Sequence, residues 1–241
     1  MPTIATADDT QLHYEFDDSA GERPAVVFLN GMTQSTQHWS TQVDLFSEDF
    51  RVLTYDARGQ GKSELGDLAP TMDRHTDDLA RLLDHLDLER AHVVGFSHGA
   101  RIALGFAADK PGRLSRLVLT SATAEPTAMA RTIVRSWREI LEAGGLEAMT
   151  WAALPAILGD AYLEQLEDYP DLDSLAGRIE APTLVVSASE DLLVDGDGAE
   201  KLAELTGGRH SEITGVGHTI PIEAPQEFHA RVSQFLTSDR R

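Results

Sequence analysis

The run His92-Val93-Val94-Gly95-Phe96-Ser97-His98-Gly99, followed by a helical pattern from Ala100 to Ala108, reads as strand, sharp turn and helix. A turn of this kind lifts the serine hydroxyl clear of the sheet. A glycine stands two residues to either side, where a side chain would collide as strand and helix close on each other. Ser97 is therefore the candidate nucleophile. The plainer alternative is a glycine-rich structural turn that happens to contain a serine.

On both sides of this turn the chain alternates β-branched runs with helical patterns, which implies a mainly parallel sheet in an α/β fold. Residues 11–16, 25–30, 51–56, 92–96, 114–120, 183–187 and 211–214 read as strands. Trp39, Val43 and Phe46 share a helical face, as do Leu79, Leu82, Leu83 and Leu86, then Ile102, Phe106 and Ala107, and finally Phe228, Val232 and Phe235. Only the interval from Ala122 to about Leu175 holds helical patterns without a convincing strand. The expected organisation is a core of residues 1–122 and 176–241 with a short helical cap inserted at 123–175.

A nucleophilic serine needs a base, and there are nine histidines to choose from. His218 lies in Gly215-Val216-Gly217-His218-Thr219-Ile220-Pro221, after the last strand and before the last helix, where glycines let an imidazole lean over the sheet edge. His13, His38, His75, His85, His210 and His229 fall on or beside predicted elements. The base must in turn be oriented by an acid. The run from Thr183 to Asp191 is a buried strand ending in carboxylates, with Asp191 at the turn; Glu190 and Glu125 are rivals. In the order serine, acid, histidine, the expected triad is Ser97, Asp191 and His218.

Asn30-Gly31-Met32-Thr33-Gln34-Ser35 follows the strand 25–30 and is assigned to the oxyanion hole, with the backbone N–H groups of Met32 and His98 as donors. Taken alone, Asn30-Gly31 is an ordinary turn. Gln34, Trp137 and Trp151 are expected to line the substrate pocket, and Arg131, Arg135 and Arg138 share one face of a cap helix, either as a solvated stripe or as a receiver of a carboxylate.

Composition narrows the partners. Forty acidic residues against twenty basic ones give a formal charge of −20, which repels nucleic acid and anionic membranes. No stretch approaches the roughly 18 apolar residues of a membrane span, and no signal peptide is evident, so a cytoplasmic location is expected. The absence of cysteine excludes disulfides, thiolate metal sites and a cysteine nucleophile. No metal-ligand cluster or phosphate-cradling loop is visible, so no cofactor is implied and the expected partner is a small molecule.

Four motifs in order resemble the α/β-hydrolases: Phe28 to Met32, Asp56-Ala57-Arg58-Gly59-Gln60-Gly61-Lys62-Ser63, the Ser97 turn, and Asp191 with His218. The family commonly has His-Gly at Asn30-Gly31 and Met-Gly-Gly at His98-Gly99-Ala100. The stretch from Phe28 to Gly59 is similar to 3-oxoadipate enol-lactonases and small carboxylesterases. The resemblance implies a mainly parallel eight-stranded sheet with helices on both faces. It also implies a serine hydrolase, and the short cap, expected to enclose a compact pocket, points to small to medium esters, lactones or thioesters as substrates. An acyltransferase, or a ligand receptor with little turnover, are the alternatives.

Overall fold

Eight strands form one sheet in the computed structural model, which describes residues 2–32, 34–125, 135–136, 139–140, 143, 175–191 and 193–238. They are β1 (Thr3–Ala5), β2 (Gln11–Asp17), β3 (Ala25–Leu29), β4 (Arg51–Tyr55), β5 (Ala91–Phe96), β6 (Leu114–Thr120), β7 (Thr183–Ala188) and β8 (Arg209–Ile213). Their order is β1-β2-β4-β3-β5-β6-β7-β8. The β1–β2 and β2–β4 pairs are antiparallel and the rest are parallel. The seven expected strands all form, within two residues of their expected limits. β1 escaped the sequence reading because three residues are too few to show a period.

The α-helices whose full extent falls among the described residues are α1 (Ser40–Phe46), α2 (Met72–His85), α3 (His98–Asp109), α4 (Gly196–Leu205), α5 (Ile220–Glu223) and α6 (Pro225–Thr237). Successive strand residues point to opposite faces, and the central strands use both. Ala25, Val27 and Leu29 of β3, with Val93, Leu117 and Val185, pack under Leu79, Leu83, Ile102, Phe106 and Leu202 of α2, α3 and α4. Val26 and Phe28, with Val94, Val118 and Val186, pack under Phe46 of α1 and Phe228 and Val232 of α6. Continuous apolar runs are thus required, since neither face meets water. Full burial of one such side chain is worth about 1.5–3 kcal/mol.

Polar anchors fix the loops that leave the carboxyl ends of the strands. Arg58, 2% exposed, forks onto Asp78 at 2.6 and 2.9 Å and onto Asp8 at 2.6 and 2.7 Å. Its hydrogen bonds hold the Asp8 carboxyl well below the ordinary carboxylate range. Removing one partner of such a buried pair costs about 3–5 kcal/mol. The turn after β4 is therefore held to α2 and to the β1–β2 connection.

Between β6 and β7, the expected cap at 123–175, including Trp137, Trp151, Arg131 and Arg138, lies almost wholly outside the described residues. Arg135 is described, exposed and 3.7 Å from Glu139. Among the described residues no helix is long and apolar enough to cross a membrane.

Candidate active site

Ser97 stands between β5 and α3 with φ 51° and ψ −112°, a left-handed backbone for a residue that is not glycine. Such conformations cost about 1–3 kcal/mol and persist only where the surroundings hold them. Here the Ser97 N–H donates to the Thr120 carbonyl at 2.8 Å, and the Ser97 carbonyl accepts from the Ala100 N–H at 3.0 Å. The flanking glycines admit no side chain: a Cβ at Gly95 would lie 2.4 Å from the Gly99 carbonyl oxygen, and one at Gly99 would lie 2.3 Å from that of Leu29. Helix and strands meet backbone to backbone, which is the close approach expected from the sequence.

The Ser97 hydroxyl lies 3.0 Å from His218 Nε2. His218 Nδ1 faces both oxygens of Asp191, at 2.8 and 3.0 Å. The Asp191 side chain is fully buried, so its charge is matched by donors: Oδ1 also accepts the Leu193 and Val194 N–H groups at 2.8 and 3.1 Å. With Nδ1 protonated against this carboxylate, Nε2 is left to accept from the serine. The Phe96 ring lies against the imidazole, with centroids 5.3 Å apart.

The rivals for the acid lie elsewhere. Glu125 is exposed and paired with Lys201 at 2.6 Å, and Glu190 is exposed to solvent, its N–H bonded to the Val216 carbonyl.

On the other side of the serine, Gly31 is pinned at both ends. Its N–H donates to Gln34 Oε1 at 3.0 Å, and its carbonyl accepts from Gln60 Nε2 at 3.2 Å. A Cβ there would strike the Phe96 ring at 2.6 Å. Gln34, expected in the pocket, thus has its carbonyl end engaged by the loop that carries Met32. Asn30 donates to Asp56 Oδ1 at 3.1 Å and accepts from Trp39 Nε1 at 2.7 Å, while Asp56 also takes the Thr36 and Lys62 N–H groups at 2.8 and 2.9 Å. Asn30, where the resembling family commonly has histidine, is therefore a joint between the loops after β3 and β4. His98 opens α3, at the positive end of the helix dipole, and its buried ring packs edge-on against His75 at 5.5 Å. Burial pushes both imidazoles down, His75 to about 4 and His98 well below its ordinary value.

Two contacts at the site went unread in the sequence. Ser121, with φ 52°, donates its hydroxyl to the His218 carbonyl at 2.8 Å. Glu223 accepts the N–H groups of Gly217 and Thr219 at 2.8 and 3.1 Å, and the Thr219 hydroxyl at 2.7 Å. A positive φ on serine leaves no mark in the sequence. The five-residue spacing from His218 to Glu223 was the available signal for the second contact.

The arrangement is suited to nucleophilic attack by an activated serine. Among the described residues no group of three or more metal-capable side chains converges.

Residues 24–145 match a protein family described as alpha/beta hydrolase fold. The chain is 29% identical, over 96% of its length and 97% of the other's, to "Putative carbamate hydrolase RutD" of Caulobacter sp. (strain K31). Its fold superposes on the crystal structure of the enol-lactonase from Burkholderia xenovorans LB400 with a TM-score of 0.88, at 28% identity and covering 98% of this chain and 100% of that one. An α/β-hydrolase enzyme from a Medee basin deep-sea metagenome library, MGS-M2, superposes with the same TM-score, 0.88, at 25% identity, covering 100% and 98% of the two chains.

Proposed function

The chain belongs to the α/β-hydrolase fold family, and from that premise we propose that it is a serine hydrolase. It cleaves small to medium carboxylic esters, lactones or thioesters through an acyl-enzyme on Ser97. The observation that carries this reading is the unbroken line from the strained Ser97 through His218 to the buried Asp191, with contacts of 3.0 and 2.8 Å.

In the proposed reaction Ser97 Oγ attacks the carbonyl carbon as its proton passes to His218 Nε2, and Asp191 stabilises the imidazolium that forms. The backbone N–H groups of Met32 and His98 receive the oxyanion; one such donor is worth about 100- to 1,000-fold in turnover in other hydrolases. His218 then gives its proton to the leaving alkoxide or thiolate. Water, deprotonated by the same nitrogen, attacks the acyl-enzyme and releases the acid and a free serine hydroxyl.

The likeness to an enol-lactonase supports an ester or lactone carbonyl. The name of the RutD relative adds a carbamate, whose carbonyl presents the same geometry to the serine. The test is hydrolysis of p-nitrophenyl esters of graded acyl length, a lactone and an aryl carbamate by wild type and Ser97→Ala. Turnover should fall with chain length and drop by about a million-fold in Ser97→Ala, as for loss of a nucleophile elsewhere. A Ser97→Ala enzyme with a tenth of wild-type activity would refute the proposal. If an added alcohol diverts most of the product, the acyl-enzyme serves transfer rather than hydrolysis.

A further inference from the structure

His218 follows two closely spaced glycines: Gly215 has φ 77°, and Gly217 immediately precedes the histidine. Unrestrained, such a segment samples many conformers, and an imidazole displaced by about 1 Å can cost about a hundredfold in rate. Something must hold residue 218 in place from the main chain.

The Glu223 carboxylate straddles that residue. Oε2 accepts the Gly217 N–H on one side at 2.8 Å, and Oε1 accepts the Thr219 N–H at 3.1 Å and the Thr219 hydroxyl at 2.7 Å on the other. Charge-assisted bonds of this kind are roughly twice as strong as neutral ones. The carboxylate stands on firm ground. Ile220 and Pro221 at the start of α5 are buried, and Gln42 Nε2 donates to the Pro221 carbonyl at 2.8 Å. The Thr219 hydroxyl, then the Gly217 N–H, lower the Glu223 carboxyl below its ordinary range, so the group stays ionised in weakly acidic solution.

We infer that Glu223 is a positioning residue for the reaction, clamping the peptide units on both sides of His218 so that Nε2 remains within reach of Ser97. The inference rests on the serine-hydrolase reading above. Glu223 is not required to touch substrate. An amide in its place has one acceptor oxygen and keeps one side of the clamp, while its NH2 would face an N–H donor on the other; an alanine keeps neither.

The test is p-nitrophenyl acetate hydrolysis by wild type, Glu223→Gln, Glu223→Ala and Ser97→Ala, with thermal melting of each. We expect kcat to fall about tenfold in Glu223→Gln and about a hundredfold in Glu223→Ala, with KM within about threefold of wild type. Glu223 is solvent-exposed, so melting temperatures should stay close to wild type; if Glu223→Ala is unstable, the amide variant carries the comparison. A wild-type kcat in Glu223→Gln and Glu223→Ala, or a KM that rises as kcat falls, overturns the clamp. An inactive Ser97→Ala beside fully active Glu223 variants would sink this inference alone. An active Ser97→Ala would sink the serine-hydrolase reading and the clamp with it.

Discussion

Replacing Asp191 by Asn changes one atom, and the surroundings dictate what that atom does. Among the described residues, Asp191 Oδ1 accepts two backbone N–H groups, from Leu193 and Val194, and lies 3.0 Å from His218 Nδ1, whereas Oδ2 faces His218 Nδ1 alone, at 2.8 Å. An asparagine that keeps its oxygen on the two amides aims its NH2 at Nδ1. That NH2 is a donor, so the imidazole moves its own proton to Nε2, where it blocks acceptance from Ser97. In a triad where the same swap leaves geometry intact, turnover falls about 10⁴-fold. Four powers of ten at about 1.36 kcal/mol each put about 5.4 kcal/mol on the barrier. The assay is kcat/KM on p-nitrophenyl acetate at neutral pH, with melting temperature as a control for folding. A loss smaller than about tenfold would refute the tautomer argument. Glu125→Gln, which changes an exposed carboxylate paired with Lys201, should be near normal; the reverse ranking would move the acid to the end of β6.

Gly99→Ala should destabilise the fold by about 1–3 kcal/mol and cut activity, because the new Cβ, 2.3 Å from the Leu29 oxygen, must push β3 and the loop carrying Met32 off α3. An unchanged urea midpoint would contradict that packing. The buried His75, held at about 4 by burial and then by the Arg58 charge, stays neutral when folded but takes a proton when unfolded below 6.5. Stability should therefore fall as pH drops from about 6.5 to about 4, by roughly 3 kcal/mol from this residue, and His75→Leu should flatten the slope of urea midpoints against pH. An identical slope in the variant would remove His75 from the acid response. Finally, a formal charge of −20 should make the melting temperature rise with molar potassium chloride as repulsion is screened; a flat or falling trend would show that repulsion does not limit stability.

The parts of this molecule legible in its sequence are those where one local rule has one cause. β3 shows as a short unbroken apolar run from Ala25 to Leu29, because both of its faces are buried. The serine turn needs only that no Cβ fit at positions 95 and 99. The expected line of Ser97, His218 and Asp191 is found at bonding distance, and Glu125, open from sequence, is drawn away by Lys201. What was hidden depends on tertiary contact. β1 is defined by its pairing with β2 rather than by pattern. α4 opens with Gly196 and Gly198, poor helix formers, and relies on the Asp195 cap and on burial of Ala199 and Leu202. Ser121 reaches the His218 carbonyl from 97 residues away in the chain, a contact that no local spacing encodes, and Glu223 turns back on the Gly217 and Thr219 amides, where the five-residue spacing from His218 was the one sign.

The most direct measurement of the central claim is covalent capture of the nucleophile. Wild-type protein is titrated with a fluorophosphonate, and bound label is followed by intact mass and peptide mapping while esterase activity is read from the same samples. One label per chain is expected, on Ser97, with activity lost in proportion to labelling and no label on Ser97→Ala. Label on another residue, or full activity in chains labelled at Ser97, would contradict it.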